Sequence, residues 1–363
     1  MKKIPGLDFL RAVAIMLVML YHCQVFPLTS RAGWTGVDLF FVLSGFLVSG
    51  LLFKEFQKTG SVKPFRFLIR RGFKIYPLFY FVLLLHLVYF TMHGRPFSNG
   101  NILAEVFFYQ NYRPGIMTIS WSLAVEEHFY ILLALTVFIA ARTGRIKNSL
   151  FIPFACLFVS LVCLGLRYYT YWNYGIGIYV IHFPTHLRID SLAFGVLLSY
   201  WFNFHHSAFM AFFKRFRWIL CLLIAGLLAP AFFDNGPGYT SPLGYTTLYA
   251  GYGILMCLVI ASAEDIRQSP AGRGLPLWAY RLISKLGTYS YAIYLVHYII
   301  AGPWVAGFVY SKFHPDGKLW YVVVYLGANI VAGILLTKVI EQPFLTLREK
   351  LFPQPGFRPV HPV

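Results

Sequence analysis

The residues able to do acid–base chemistry sit in apolar surroundings, where charge is hardest to keep. Residues 7–26 form an apolar stretch that nonetheless carries Asp8, Arg11 and His22. Eleven residues at about 100° each return to within about 20° of the starting azimuth, so Arg11 and His22 share a helix face, roughly 16 Å apart along the axis. An imidazole near one end of such a stripe is a candidate general base. Asp8 and Arg11, three residues apart, could equally be a simple ion pair. Asp38 enters the next apolar stretch at about the depth of His22. A carboxylate accepting from one ring nitrogen would fix the tautomer and leave the other nitrogen basic. The competing reading is a salt bridge from Asp38 to Arg31 or Arg188.

Three further groups join them. Ser122, Glu126 and Tyr130 stand at i, i+4 and i+8, one face of a helix, while Glu127 points about 100° away and needs different partners. Arg188 and Asp190 open another apolar stretch, and His297 lies deep in a later one, with Ser290 and Tyr294 on its face. His297 reads equally as a hydrogen-bonded packing residue. By depth, His22, Asp38, Glu126, Arg188 and Asp190 are expected to cluster at one end. His182 and His186 have metal-ligand spacing, but Pro184 between them argues against a regular helix, so no metal is expected.

At the other end lies a basic run. Residues 54–74 hold seven cations, of which Arg66, Arg70, Arg71 and Lys74 fall near i, i+4 spacing. One helical face presenting several cations suits a polyanion such as the phosphates of a nucleotide cofactor. Contact with anionic lipid headgroups is the alternative.

The elements that must position these groups are membrane spans. Of 363 residues, 58% are apolar and only 12% charged, and mean hydropathy is +0.63. That composition excludes an ordinary soluble domain. The expected fold is an all-α polytopic membrane protein of about ten transmembrane helices, at 7–26, 34–53, 74–92, 119–141, 150–170, 188–204, 217–234, 244–263, 287–310 and 319–341. The first stretch holds Asp8 and Arg11 and lacks a small-x-small cleavage site, so it reads as a span rather than a leader. Threaded through these spans, 22 of the 31 lysines and arginines fall on one side and seven on the other. The positive-inside rule then makes both termini cytoplasmic. The net charge of +18 is spread over short membrane-flanking segments, which excludes nucleic acid as a partner and favours membrane lipids. The five cysteines all fall in apolar stretches and read as packing residues. Residues 1–341 form one membrane domain, and 342–363 a short Pro-rich cytoplasmic tail.

Taken in order, several motifs resemble the membrane acyltransferase-3 family, which includes bacterial O-antigen and peptidoglycan O-acetyltransferases. They are the Arg-x10-His of Arg11 and His22, the stretch from Gly36 to Phe46, Arg70-Arg71-Gly72-Phe73-Lys74-Ile75-Tyr76-Pro77, Trp121 to Tyr130, and Arg188-Ile189-Asp190. Lys74 stands where Arg is common, and Gln342 follows Glu341 where a basic residue often does. The resemblance implies a multi-pass protein of the bacterial inner membrane. It implies transfer of an acyl group, usually acetyl, from acyl-coenzyme A to a hydroxyl of an extracytoplasmic glycan or glycolipid. The donor is a substrate, and no tightly bound cofactor is expected. Catalytic roles would fall to His22, Asp38 and Glu126, and donor binding to Arg11, Arg70, Arg71 and Lys74. Acceptor or cavity positions would be Ser122, Arg188, Asp190 and His297. Some relatives carry a fused extracytoplasmic hydrolase-like domain; without one, this chain is expected to act alone or with a separate partner. A different class, a proton-coupled transporter or flippase, would also use intramembrane acids and a histidine. No inverted repeat or matched pair of broken helices supports that class.

Overall fold

The computed structural model describes residues 5–23, 25–147, 150–175, 177–233, 241–268, 277–299 and 318–353. Among the described residues every regular element is helical. The helices are α1 (Pro5–Cys23), α2 (Pro27–Ala32), α3 (Gly36–Thr59), α4 (Pro64–Met92), α5 (Asn99–Val106), α6 (Trp121–Arg142), α7 (Phe151–Tyr174) and α8 (Ile189–Phe204). They continue as α9 (His206–Arg215), α10 (Arg217–Phe233), α11 (Gly244–Gln268), α12 (Leu277–Thr288), α13 (Ser290–Ile299), α14 (Lys318–Leu336) and α15 (Gln342–Leu351). Bilayer physics explains the class, because a helix satisfies its own backbone groups where no water can.

Among the described residues seven helical segments are long and apolar enough to cross a membrane, and α9 with α10 forms a further pair bent by 79°. Leu84, Leu132, Leu135, Phe154, Leu157 and Leu161 are all more than half exposed. Such outward apolar side chains belong against lipid, and the chain is a multi-pass membrane protein. The stretch expected at 188–204 is the short α8. Of the stretch expected at 287–310, residues 287–288 end α12, Ser290–Ile299 form α13, and residues 300–310 fall outside the described residues. The basic run is helical from Pro64, so Arg66, Arg70, Arg71 and Lys74 occupy the opening turns of α4.

Two helices form the spine. Gly45 of α3 packs on the Leu192 carbonyl, and Gly195 of α8 on the Val42 carbonyl, so tightly that a Cβ at either position would collide with backbone. Small residues let membrane helices approach to backbone contact. That approach brings Asp38, in the first turn of α3, against Arg188, which immediately precedes α8.

The pairing there is a fully buried ionic network. Arg188 Nη2 donates to Asp38 Oδ1 at 2.6 Å, and Arg167 Nη2 of α7 donates to Asp190 Oδ2 at 2.7 Å. All four side chains are 0% exposed. Arg167 also donates to the carbonyls of Leu187 and Pro242 and to Thr246, so it ties α7, α8 and the lead-in to α11 together. Each acid occupies the first turn of its helix, where the unsatisfied N–H groups favour negative charge. Removing one partner strands the other charge. Asp190→Ala is therefore expected to destabilise the protein by about 3–5 kcal/mol. Thermal unfolding of the purified protein in detergent checks this, and an unchanged midpoint would contradict the assignment.

Candidate active site

His22 closes α1. Its Nδ1 lies 2.9 Å from the Val18 carbonyl, one turn back. His297 of α13 is buried, with Nδ1 2.6 Å from the Tyr294 carbonyl. A carbonyl oxygen only accepts, so both Nδ1 atoms carry hydrogen and both Nε2 atoms carry a lone pair. His297 Nε2 lies 3.3 Å from His22 Nδ1, facing the same hydrogen that Val18 receives. The two rings meet edge to face, with centroids 4.9 Å apart, and Tyr21 and Tyr298 flank His22. His22 Nε2 is thereby left basic.

The expected bond from Asp38 to His22 is not made. Asp38 serves Arg188, whose Nη1 lies 2.9 Å from His182 Nδ1 and whose guanidinium stacks 4.1 Å from the Tyr245 ring centroid. The reason is electrostatic. A buried guanidinium must be neutralised locally, and a carboxylate gains far more from that cation than from a neutral imidazole. The alternative pairing with Arg188 is the one adopted. Asp190 likewise belongs to Arg167, so Arg188 and Asp190, expected at an acceptor cavity, are both buried in structural ion pairs.

Glu126, expected beside His22, faces the opposite end. Its Oε2 accepts from Tyr130 at 2.8 Å, and the Tyr130 oxygen accepts from Arg71 Nη2 at 2.7 Å. Ser44 shares that phenol at 2.8 Å, and the Arg71 guanidinium lies 4.6 Å from the Tyr130 ring centroid. Glu127 takes the different partner its azimuth requires, accepting from the Tyr76 hydroxyl at 2.8 Å. Ser122, one turn earlier on the same stripe, lies 2.7 Å from the Tyr294 hydroxyl, which donates to the Ile119 carbonyl at 2.7 Å. The α6 stripe thus spans the site. Ser122 touches Tyr294, the residue whose carbonyl holds His297, and Glu126 with Tyr130 holds Arg71.

The basic turns of α4 are each engaged. Lys74 pairs with the buried Glu341, and Arg70 with Glu349 of α15 through contacts of 2.7 and 3.2 Å. Arg70 also donates to the Phe352 carbonyl. Arg11 pairs with Asp8 at 3.9 Å and lies within electrostatic range of Lys74 and Glu126. Arg11, Arg71, Lys74 and Glu126 therefore form one neighbourhood, as the shared face of Arg11 and His22 leads one to expect at the end away from the imidazole.

Sequence reasoning missed Arg167, Arg348, Glu349 and Glu105 as organising residues. Glu105 of α5 accepts from the Met117 N–H at 2.7 Å and the Ser120 hydroxyl at 2.8 Å, which fixes the entry to α6. Burial pushes its carboxyl up to about 7. Its signal was faint: an acid in a short helix that Ser98 and Asn101 cap reciprocally. His182 and His186 are turned to other partners, His182 to Arg188 and Tyr245, His186 to a stack with Tyr112.

Comparison with known proteins places this architecture. The sequence profile described as an acyltransferase domain matches residues 4–338. A Staphylococcus aureus (strain COL) protein that carries the name O-acetyltransferase is 29% identical over 95% of this chain and 58% of its own length. The peptidoglycan O-acetyltransferase OatA of Listeria monocytogenes is 26% identical over 94% of this chain and 56% of its own length. The O-acetyltransferase OatA of Staphylococcus aureus (strain NCTC 8325 / PS 47) is 29% identical over 55% of this chain and 35% of its own length. This chain thus spans a little over half the length of the first two. No solved structure matches significantly. With a profile match over nearly its whole length, the chain belongs to the acyltransferase-3 family.

Proposed function

We propose that this protein moves an acyl group, most simply acetyl, from cytoplasmic acyl-coenzyme A to a hydroxyl of an extracytoplasmic glycan or glycolipid. The host membrane is the bacterial inner membrane. The proposed topology has ten spans and both termini inside, which puts the α4 cations on the cytoplasmic side and His22 toward the other. The observation that carries the reading is the locked tautomer of His22. Its Nδ1 hydrogen is held by Val18 and faces His297, so Nε2 is available as a base at the far end of a polar stripe from Arg71.

In this scheme Arg70 and Arg71 receive the donor phosphates while Lys74 stays with Glu341, and the pantetheine arm runs along the α6 stripe. An extended arm of roughly 15–20 Å covers half to two-thirds of a core about 30 Å thick. His22 Nε2 takes the proton of the acceptor hydroxyl, and the oxygen attacks the thioester carbonyl. The carbon–sulfur bond breaks, and the departing thiolate recovers the proton from the imidazolium. While His22 is charged, the neutral His297 Nε2 accepts from its Nδ1–H, the role a carboxylate plays in a hydrolase triad. A route through an acylated His22 uses the same geometry, with the acceptor hydroxyl cleaving the acyl-imidazole in a second step. The names of the relatives support glycan O-acetylation and disfavour the transporter class.

Three measurements test this. With acetyl-coenzyme A and a glycan acceptor, His22→Ala is expected to lower transfer at least about 100-fold while the protein still inserts and folds. Full activity in that variant refutes the assignment. His297→Ala is expected to lower kcat by about tenfold or more with little change in either KM, and His297→Gln, which keeps an acceptor, to recover part of the loss. Equal losses in both variants would make His297 a packing residue. Arg70→Ala combined with Arg71→Ala is expected to raise the donor KM more than it lowers kcat, and an unchanged donor KM would reassign these turns to lipid contact.

A further inference from the structure

The cations of α4 differ in who neutralises them. Lys74 meets Glu341, which is 3% exposed, and Arg71 meets Tyr130, which is buried among α3, α4 and α6. Arg70 instead meets Glu349, whose side chain is 46% exposed. Two guanidinium groups converge on that one carboxylate. Glu349 Oε1 accepts from Arg70 Nη2 at 2.7 Å, from Arg348 Nη2 at 2.6 Å and from Arg348 Nε at 3.1 Å, and Oε2 accepts from Arg70 Nη1 at 3.2 Å. Arg348 also reaches the Arg70 carbonyl at 3.5 Å, so the two forks are held side by side. Glu55 also lies within electrostatic range of Arg70 but is shared with Lys63 and Arg66, so a local surplus of positive charge remains. Planar forks set for a carboxylate are equally set for phosphate, and a phosphate monoester brings nearly two negative charges where Glu349 brings one.

We infer that Glu349 is a displaceable stand-in for a donor phosphate, and that Arg348 of α15 completes the phosphate site with Arg70. This rests on the donor reading above and adds a regulatory element to it. An ion pair whose carboxylate is nearly half exposed exchanges more readily than one enclosed on both sides, so incoming phosphate can take its place. The Lys74–Glu341 pair, whose carboxylate is only 3% exposed, lacks that freedom and ties the segment leading into α15 to α4 instead. Without donor, α15 is latched over the opening turns of α4 by Glu349. With donor, both guanidiniums turn to the phosphate and the carboxylate is released to solvent.

The test is coenzyme A binding to the full-length protein in nanodiscs of zwitterionic lipid, read by calorimetry and independent of turnover. Glu349→Gln is expected to tighten coenzyme A about threefold by removing the competing anion. Glu349→Asp should leave affinity near that of the native chain, and Arg348→Ala should weaken it about tenfold. Glu349→Ala provides a second neutral variant should the glutamine protein fold poorly. If the native chain binds coenzyme A but the neutral variants bind it equally or more weakly, Glu349 merely fastens α15 and the inference falls. If neutral variants gain affinity only for nanodiscs containing anionic phospholipid, the forks serve a lipid headgroup and the inference also falls. If no form of the protein binds coenzyme A, the donor reading itself fails and takes this inference with it.

Discussion

An ionised side chain inside hydrocarbon must find its counter-charge within reach, and that requirement organises this molecule. Asp38, Asp190, Arg167 and Arg188 are wholly buried, and each donor–acceptor contact between opposite charges is 2.6–2.7 Å. The α3–α8 glycine contact and the N-terminal turns of both helices exist in the form that makes these pairs possible. The same requirement decides what surrounds His22. Because Asp38 is committed to Arg188, the group facing the His22 Nδ1–H is a second imidazole. A neutral partner for a neutral base keeps the pair uncharged until a proton arrives, which suits a site with little water to solvate an isolated carboxylate.

The α6 stripe connects the two ends of the site. Ser122 reaches Tyr294 and, through its backbone, His297, while Glu126 and Tyr130 reach Arg71. A single helix therefore sets the separation between basic imidazole and guanidinium. Substrate groups bound at the two ends would be positioned by the rigid rise of that helix rather than by loops, the arrangement that favours accurate placement of reacting atoms. Under the proposed function this spacing has a chemical sense: a long thioester donor would be anchored by its phosphates and read out at its far end.

Much of this was legible in the sequence because helical periodicity is reliable over long apolar stretches. The common face of Arg11 and His22, the Ser122–Glu126–Tyr130 stripe and the contrasting azimuth of Glu127 all appear in the structure. What periodicity could not supply was partner choice between helices. Asp38 had an imidazole and two arginines within plausible depth, and only the three-dimensional packing of α3 on α8 decides among them. Glu126 was misplaced because depth along α6 was read relative to His22, whereas its carboxylate follows the Tyr130 phenol toward Arg71. Arg167 was missed as an organising residue, yet its side chain is 0% exposed and has four separate acceptors. Glu349 and Arg348 lie in a polar helix whose composition gives no hint that it folds back onto α4.

The central claim is that a thioester donor bound at the Arg71 end delivers its acyl group to a hydroxyl at the His22 end. Proteoliposomes holding the protein, with labelled acetyl-coenzyme A on one side only and a membrane-impermeant glycan on the other, test it directly. The account predicts labelled ester on the glycan and an equal amount of free coenzyme A thiol retained in the donor compartment. Ester formation only when donor and glycan share a compartment would contradict it.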